Sequence, residues 1–213
     1  MNVKKIVSLC KQAKAFGSTI DADGSQWLGD GYAFYQLPTD TPLLEANTIS
    51  ALYDIDKEKM NNEYVYKELK VDEYSTSDTW EDEELLREIF IKVKYAGKEL
   101  MPFASRNGLI LIDTKYLTPL DLKNYEMYFM LRKDKVVIKK GMFAIAYIMP
   151  FDINAVSDDF EKQLSELYKQ YSISRENEFL KNKNFDEMEG VNDVCDNWRR
   201  SKSTFWKRIG KCK

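Results

Sequence analysis

The side chains best placed to do chemistry in this chain are cations. Lys4, Lys5, Lys11 and Lys14 recur at spacings that put them on the polar side of one helix. Lys115 and Lys123 lie in and after a second short helical stretch. Arg199, Arg200, Lys202, Lys207 and Arg208 crowd the C-terminal tail around Trp198 and Trp206. Rows of ammonium and guanidinium groups neutralise phosphates without reading base sequence. Indole rings set among them stack on unpaired bases or anchor a protein partner, because Trp and Arg dominate interface hot spots. A membrane surface is a third partner that a basic, aromatic tail suits.

The other reactive groups define no site. Histidine is absent, which removes the commonest general acid–base residue, the Ser–His and Cys–His pairs and every imidazole metal ligand. The carboxylates that remain to be weighed are Asp21, Asp23, Asp30, Asp113 and the Glu81-Asp82-Glu83-Glu84 run. Asp23 and Asp30 adjoin glycines, where turn chemistry accounts for them. No spacing defines an acid–base pair or a metal triad. The chain therefore reads as a non-enzyme, with no catalytic residue, metal or cofactor expected.

Charge is distributed unevenly. The net charge is −3, yet residues 194–213 hold seven basic residues against one acid, a local +6 that leaves −9 on the other 193. An acidic body with a basic tail points to an anionic partner, or to a tail that docks on acidic protein surface such as residues 78–88. Cys10, Cys195 and Cys212 form no C-x-x-C pair and are odd in number, so a reducing, cytoplasmic setting is expected rather than a disulfide framework or zinc site. No apolar run approaches the ~18–20 residues of a membrane span, and the N-terminus lacks the apolar core of a signal peptide.

These residues need elements to position them. Residues 2–16 are predicted as an amphipathic helix, with Val3, Ile6, Val7, Cys10 and Ala13 on one face and Gly17 as its stop. Strands are expected at 18–22, 26–28 and 32–37, turning at Asp23-Gly24 and Gly29-Asp30-Gly31 and closing at Pro38. Helical pieces are expected at 42–54 and 56–62, while 63–73 has no decisive period. Strands at 86–93 and 99–103 turn at 96–98. Residues 109–112 then form a strand, 113–122 a helix made irregular by Pro119, and 126–132, 136–140 and 142–149 three strands in a meander. A helix followed by three strands thus occurs twice, offset by 110–112 residues, with GYAFYQLP in one copy and GMFAIAYIMP in the other. Phe160, Leu164, Leu167 and Tyr171 mark a further helix over 160–172, and 191–209 a last amphipathic one.

A repeated βαβββ pattern whose last strand ends in Ile148-Met149-Pro150, together with IDTKYLTPL over 112–120, resembles the DNA sliding-clamp fold of the bacterial β clamp and its eukaryotic and archaeal counterparts. The resemblance covers residues 1–154. It implies an α+β, clamp-like domain built from two such units with antiparallel sheets and two helices on one side. The tail 155–213 is expected as a helical extension, and 39–84 as a helical and acidic insertion. Both lack a clamp equivalent, and one domain per chain falls short of a six-domain ring. Through QWLGDGYAFYQLP (26–38), ALYDI (51–55), LIDTKYLTPL (111–120) and the strand over 140–150, the chain also resembles proteins encoded by prophages of Gram-positive gut bacteria, which implies no activity. The expected function is a non-enzymatic, DNA-associated accessory protein. The alternative is a protein-interaction module working through the Trp/Arg tail without DNA.

Overall fold

The computed structural model describes residues 1–21, 23–68, 81–89, 91–122, 127–152 and 157–182. It is a mixed α+β structure of two compact units. The first joins Met1–Leu85 to Asp113–Met149, and the second joins Leu86–Ile112 to the chain from Pro150 onward.

The first unit opens with helix α1, Val3–Ala13. Asn2 caps it by accepting from the Lys5 N–H at 3.2 Å, one of the donors a helix start leaves unpaired. Ile6, Val7, Leu9 and Cys10 are buried, whereas Ala13 is exposed. The helix stops at Lys14, in the left-handed region at φ 54°, three residues before the glycine expected to end it. The reason is strand pairing. Strand β1, Ala15–Ile20, already pairs from Ala15, so the chain must leave the helix before Gly17, which becomes a strand residue.

Strands β2 (Gln26–Gly29) and β3 (Ala33–Gln36) complete an antiparallel meander with β1. Helices α2, Ala46–Leu52, and α3, Lys57–Glu63, follow. The undecided stretch after them yields β4, Val65–Glu68, which pairs with β1 in parallel. The expectation of purely antiparallel sheets fails at this pair. A two-residue strand, β5 at Glu84–Leu85, ends the insertion.

The helix expected over 113–122 contracts to a 3-10 turn, Thr114–Leu117, capped by the Asp113 carboxylate. After it, β10 (Met127–Arg132), β11 (Lys135–Lys140) and β12 (Phe143–Ile148) form the second meander. The eight strands run in the order β4-β1-β2-β3-β12-β11-β10-β5, with β3 and β12 antiparallel at the centre. Each meander supplies one half of the sheet, and the order is mirrored about that central pair.

The pleat sends alternate residues to opposite faces. Phe16, Leu28, Tyr35, Ile138 and Ile148, all fully buried, share one face by register and alternation. The 3-10 turn lies against this face, since the Tyr35 hydroxyl donates to the Tyr116 carbonyl at 2.7 Å. Trp27, Phe34, Val137, Ala144 and Tyr147 form a second apolar cluster, on the other face.

The second unit holds β6 (Arg87–Glu88), β7 (Val93–Tyr95), β8 (Lys98–Ser105) and β9 (Gly108–Asp113), with β8 pairing to each of the others. The strand expected over 86–93 is thus two short strands. Strand β9 does precede the 3-10 turn, as a βαβββ order requires, yet it pairs with β8 rather than with the meander that follows. No strand precedes α1 among the described residues. Helix α4, Asp158–Asn182, packs Phe160 and Leu164 with Leu100 and Leu111. The Phe160 ring stacks on Tyr95 at 4.3 Å between centroids.

Candidate nucleic-acid interface

The lysine row of the first helix exists because the apolar row opposite it is committed to the sheet. Burial of Ile6, Val7, Leu9 and Cys10 stabilises by about 1.5–3 kcal/mol for each large apolar side chain. That burial turns Lys4, Lys5, Ser8 and Lys14 to solvent. Lys4 to Lys11 covers seven helical steps, a rise of about 10 Å.

The 3-10 turn lies beside the start of α1. The Asn2 N–H donates to the Pro119 carbonyl at 2.8 Å, and the Lys5 ammonium donates to the Thr118 carbonyl at 3.0 Å. Lys115, on that turn, is exposed, with its ammonium 4.6 Å from the centroid of the Tyr116 ring. Lys4 and Lys5 therefore lie on a segment hydrogen-bonded to the one that carries Lys115, about 110 residues away in sequence.

The remaining lysines of the row have partners within the chain. The half-buried Lys11 donates to the Tyr53 carbonyl at 2.7 Å, tying α1 to the end of α2. Lys14 stands 3.7 Å from Glu63, a pair with both side chains well exposed. Such a pair is worth at most about 1 kcal/mol and is screened by salt, so it leaves the ammonium able to exchange partners. Lys123, Trp198, Arg199, Arg200, Lys202, Trp206, Lys207 and Arg208 lie outside the described residues, as does the helix expected over 191–209.

Beneath the lysines the chemistry is closed rather than reactive. Burial pushes the Cys10 thiol far above its ordinary range, with the Asp30 carboxylate adding to the effect. The Tyr35 hydroxyl is pushed up for the same first reason, then by Asp30, Tyr116 and Cys10 around it. Asp30 is itself buried and accepts from the Tyr32 and Ala33 N–H groups at 2.9 and 3.0 Å, the turn role its sequence position predicts. Among the described residues, no three His, Cys, Asp or Glu side chains gather where they could hold a metal ion. No described helix is long and apolar enough to cross a membrane.

One cluster escapes sequence reasoning altogether. The Glu83 carboxylate accepts from Arg132 Nε at 2.8 Å and Nη2, and from the Lys139 ammonium, and all three side chains are largely buried. The Arg132 guanidinium also sits 5.6 Å from the centroid of the Tyr147 ring, which in turn packs on Trp27. Glu83 is 49 and 56 residues from these partners in sequence, so no local period announces the triad. The chain matches no family model, no curated protein and no solved structure.

Proposed function

We propose that this protein is a non-enzymatic, DNA-associated accessory protein whose body is a single clamp-like domain. In this reading the ammonium groups of α1 and of the 3-10 turn bind the phosphate backbone without base readout. The observation that carries it is the junction of α1 with the 3-10 turn, where exposed Lys4 and Lys5 lie on a segment hydrogen-bonded to the one that carries exposed Lys115. The mirrored strand order about β3 and β12, with α1 and the 3-10 turn adjoining, supports the clamp-like part. An acidic body is compatible with this, because phosphate binding depends on local rather than net charge.

A second reading has its own observation. Lys5, Lys11 and Lys14 are each engaged by oxygens of the chain itself, which favours structural roles for them. It also leaves recognition to the tail, with Trp198 and Trp206 as anchors for a protein partner.

Binding of a labelled DNA duplex across a salt series, for the full chain and a truncation after Gly190, separates the two. The lysine-face reading expects the truncated chain to retain salt-sensitive binding. Binding lost with the tail transfers the DNA contacts to residues 191–213. Failure of both forms to bind at low salt refutes the DNA reading and turns the search to protein partners.

A further inference from the structure

The most unusual polar feature of the first unit is the manner in which its last strand is held. Strand β5 pairs with β10 through two residue pairs, Met130 with Leu85 and Leu131 with Glu84. Leu85 remains 53% exposed, so little apolar burial secures this edge. Just before it, the Glu83 side chain, 8% exposed, reaches into the cationic pair formed by Arg132 of β10 and Lys139 of β11. We propose that residues 81–85 form a clasp on the edge of the eight-stranded sheet, locked by the Glu83 carboxylate. Undoing the lock releases the clasp as a local unit while the remaining strands stay folded.

The physical case rests on where the free energy is concentrated. A two-residue edge strand adds little of its own, because sheet stabilisation accumulates through cross-strand pairs and burial. A buried carboxylate held by two buried cations is different: removing one partner leaves uncompensated charge in a low-dielectric site and is strongly destabilising. The lock adjoins the core where Arg132 lies against Tyr147, but the core has packing of its own. Trp27, Phe34, Val137 and Tyr147 pack with one another on β2, β3, β11 and β12, and β3, β12, β11 and β10 remain paired without β5. Local opening units in proteins are segments with this profile, weakly buried and held by few contacts.

Amide hydrogen exchange on the full chain tests this, comparing wild type with Glu83→Gln and with Lys139→Met, which removes one cation and keeps the stem volume. Glu83→Gln is expected to speed exchange at Glu84, whose amide faces β10 by the register, by about 100-fold, with Tyr35, Ala146 and Ile148 unchanged. Lys139→Met is expected to act at the same amide, by a smaller factor. Digestion with a Glu-specific protease should show faster cleavage after Glu84 in both variants. Unchanged exchange at Glu84 overturns the lock. Uniform acceleration across the sheet, or loss of folding in both variants, overturns the clasp as a separable unit.

Discussion

Gly29 offers a demanding test of the sheet centre. It ends β2, and a Cβ placed on it would lie 1.8 Å from the Ala33 carbonyl oxygen, 2.8 Å from the Ala33 carbonyl carbon and 2.9 Å from Phe34 Cα. All three atoms are main chain, so no rotamer change relieves the clash. Restoring ordinary contact at 3.4 Å requires β2 and β3 to separate by roughly 1.5 Å. The Asp30 N–H to Ala33 carbonyl bond, 3.2 Å long, then exceeds hydrogen-bonding distance. Leaving buried polar groups unpaired costs about 1–3 kcal/mol, and overpacking a similar amount, so Gly29→Ala should cost about 3–5 kcal/mol. Gly24→Ala is the control. Its φ is +85°, yet nothing lies within 4 Å of the added carbon, so only backbone strain of about 1–2 kcal/mol applies. In urea, at a slope of about 2 kcal/mol/M, the midpoint should fall by roughly 2 M for Gly29→Ala and by under about 1 M for Gly24→Ala. Unfolding followed by circular dichroism and Trp fluorescence measures both. A Gly29→Ala protein as stable as Gly24→Ala would refute the close approach and the register built on it.

Two further outcomes follow from buried groups. Cys10 and Tyr35 stay protonated in the fold above their ordinary values of 9.0 and 10.0, whereas the unfolded chain ionises there. The unfolded state therefore binds fewer protons, and stability, fully present below pH 9, should fall by about 1.4 kcal/mol per pH unit for each group as pH rises beyond those values. Urea midpoints between pH 8 and 11 check this, and a flat profile contradicts the burial of these two groups. In the second unit, Phe160→Ala removes a buried ring stacked on Tyr95 and should cost about 3–5 kcal/mol. Hydrogen exchange at Leu100 and Leu111, neighbours in that cluster, should accelerate correspondingly, and no change there would show that α4 is not packed on them.

Much of the architecture is legible in local sequence, and what escapes is non-local. The apolar row Ile6, Val7 and Cys10 predicts α1, and glycine and proline punctuation places β2, β3, β10, β11 and β12 within a few residues. The end of α1 escapes because β1 competes for Ala15 and Phe16, and that competition depends on β2 and on β4, some 50 residues away. The residues of β4 have no decisive period because a charged edge strand buries little on either side. The second helix shrinks to a single turn that packs its Tyr116 and Leu117 inward, and the Pro119 carbonyl accepts from Asn2 instead of continuing a ladder. The α+β class follows from the order of elements. Of the cations singled out as phosphate ligands, Lys4 and Lys5 lie on a segment hydrogen-bonded to the one that carries Lys115, which neither their spacing nor their number reveals. Arg132 and Lys139, in the strands of a Lys-rich hairpin, look like surface charge in sequence and are instead buried against Glu83.

The central claim is that lysines on the helix-covered face bind phosphate. Its most direct test is the salt dependence of duplex binding by the full chain against a Lys4→Gln, Lys5→Gln, Lys115→Gln variant. Each ammonium–phosphate contact contributes about −0.9 to the slope of log K against log salt. The account predicts a slope shallower by about 2.7 in the variant, with its urea midpoint lower by under about 1 M from loss of the Lys5–Thr118 bond. An identical slope for the two proteins would contradict it.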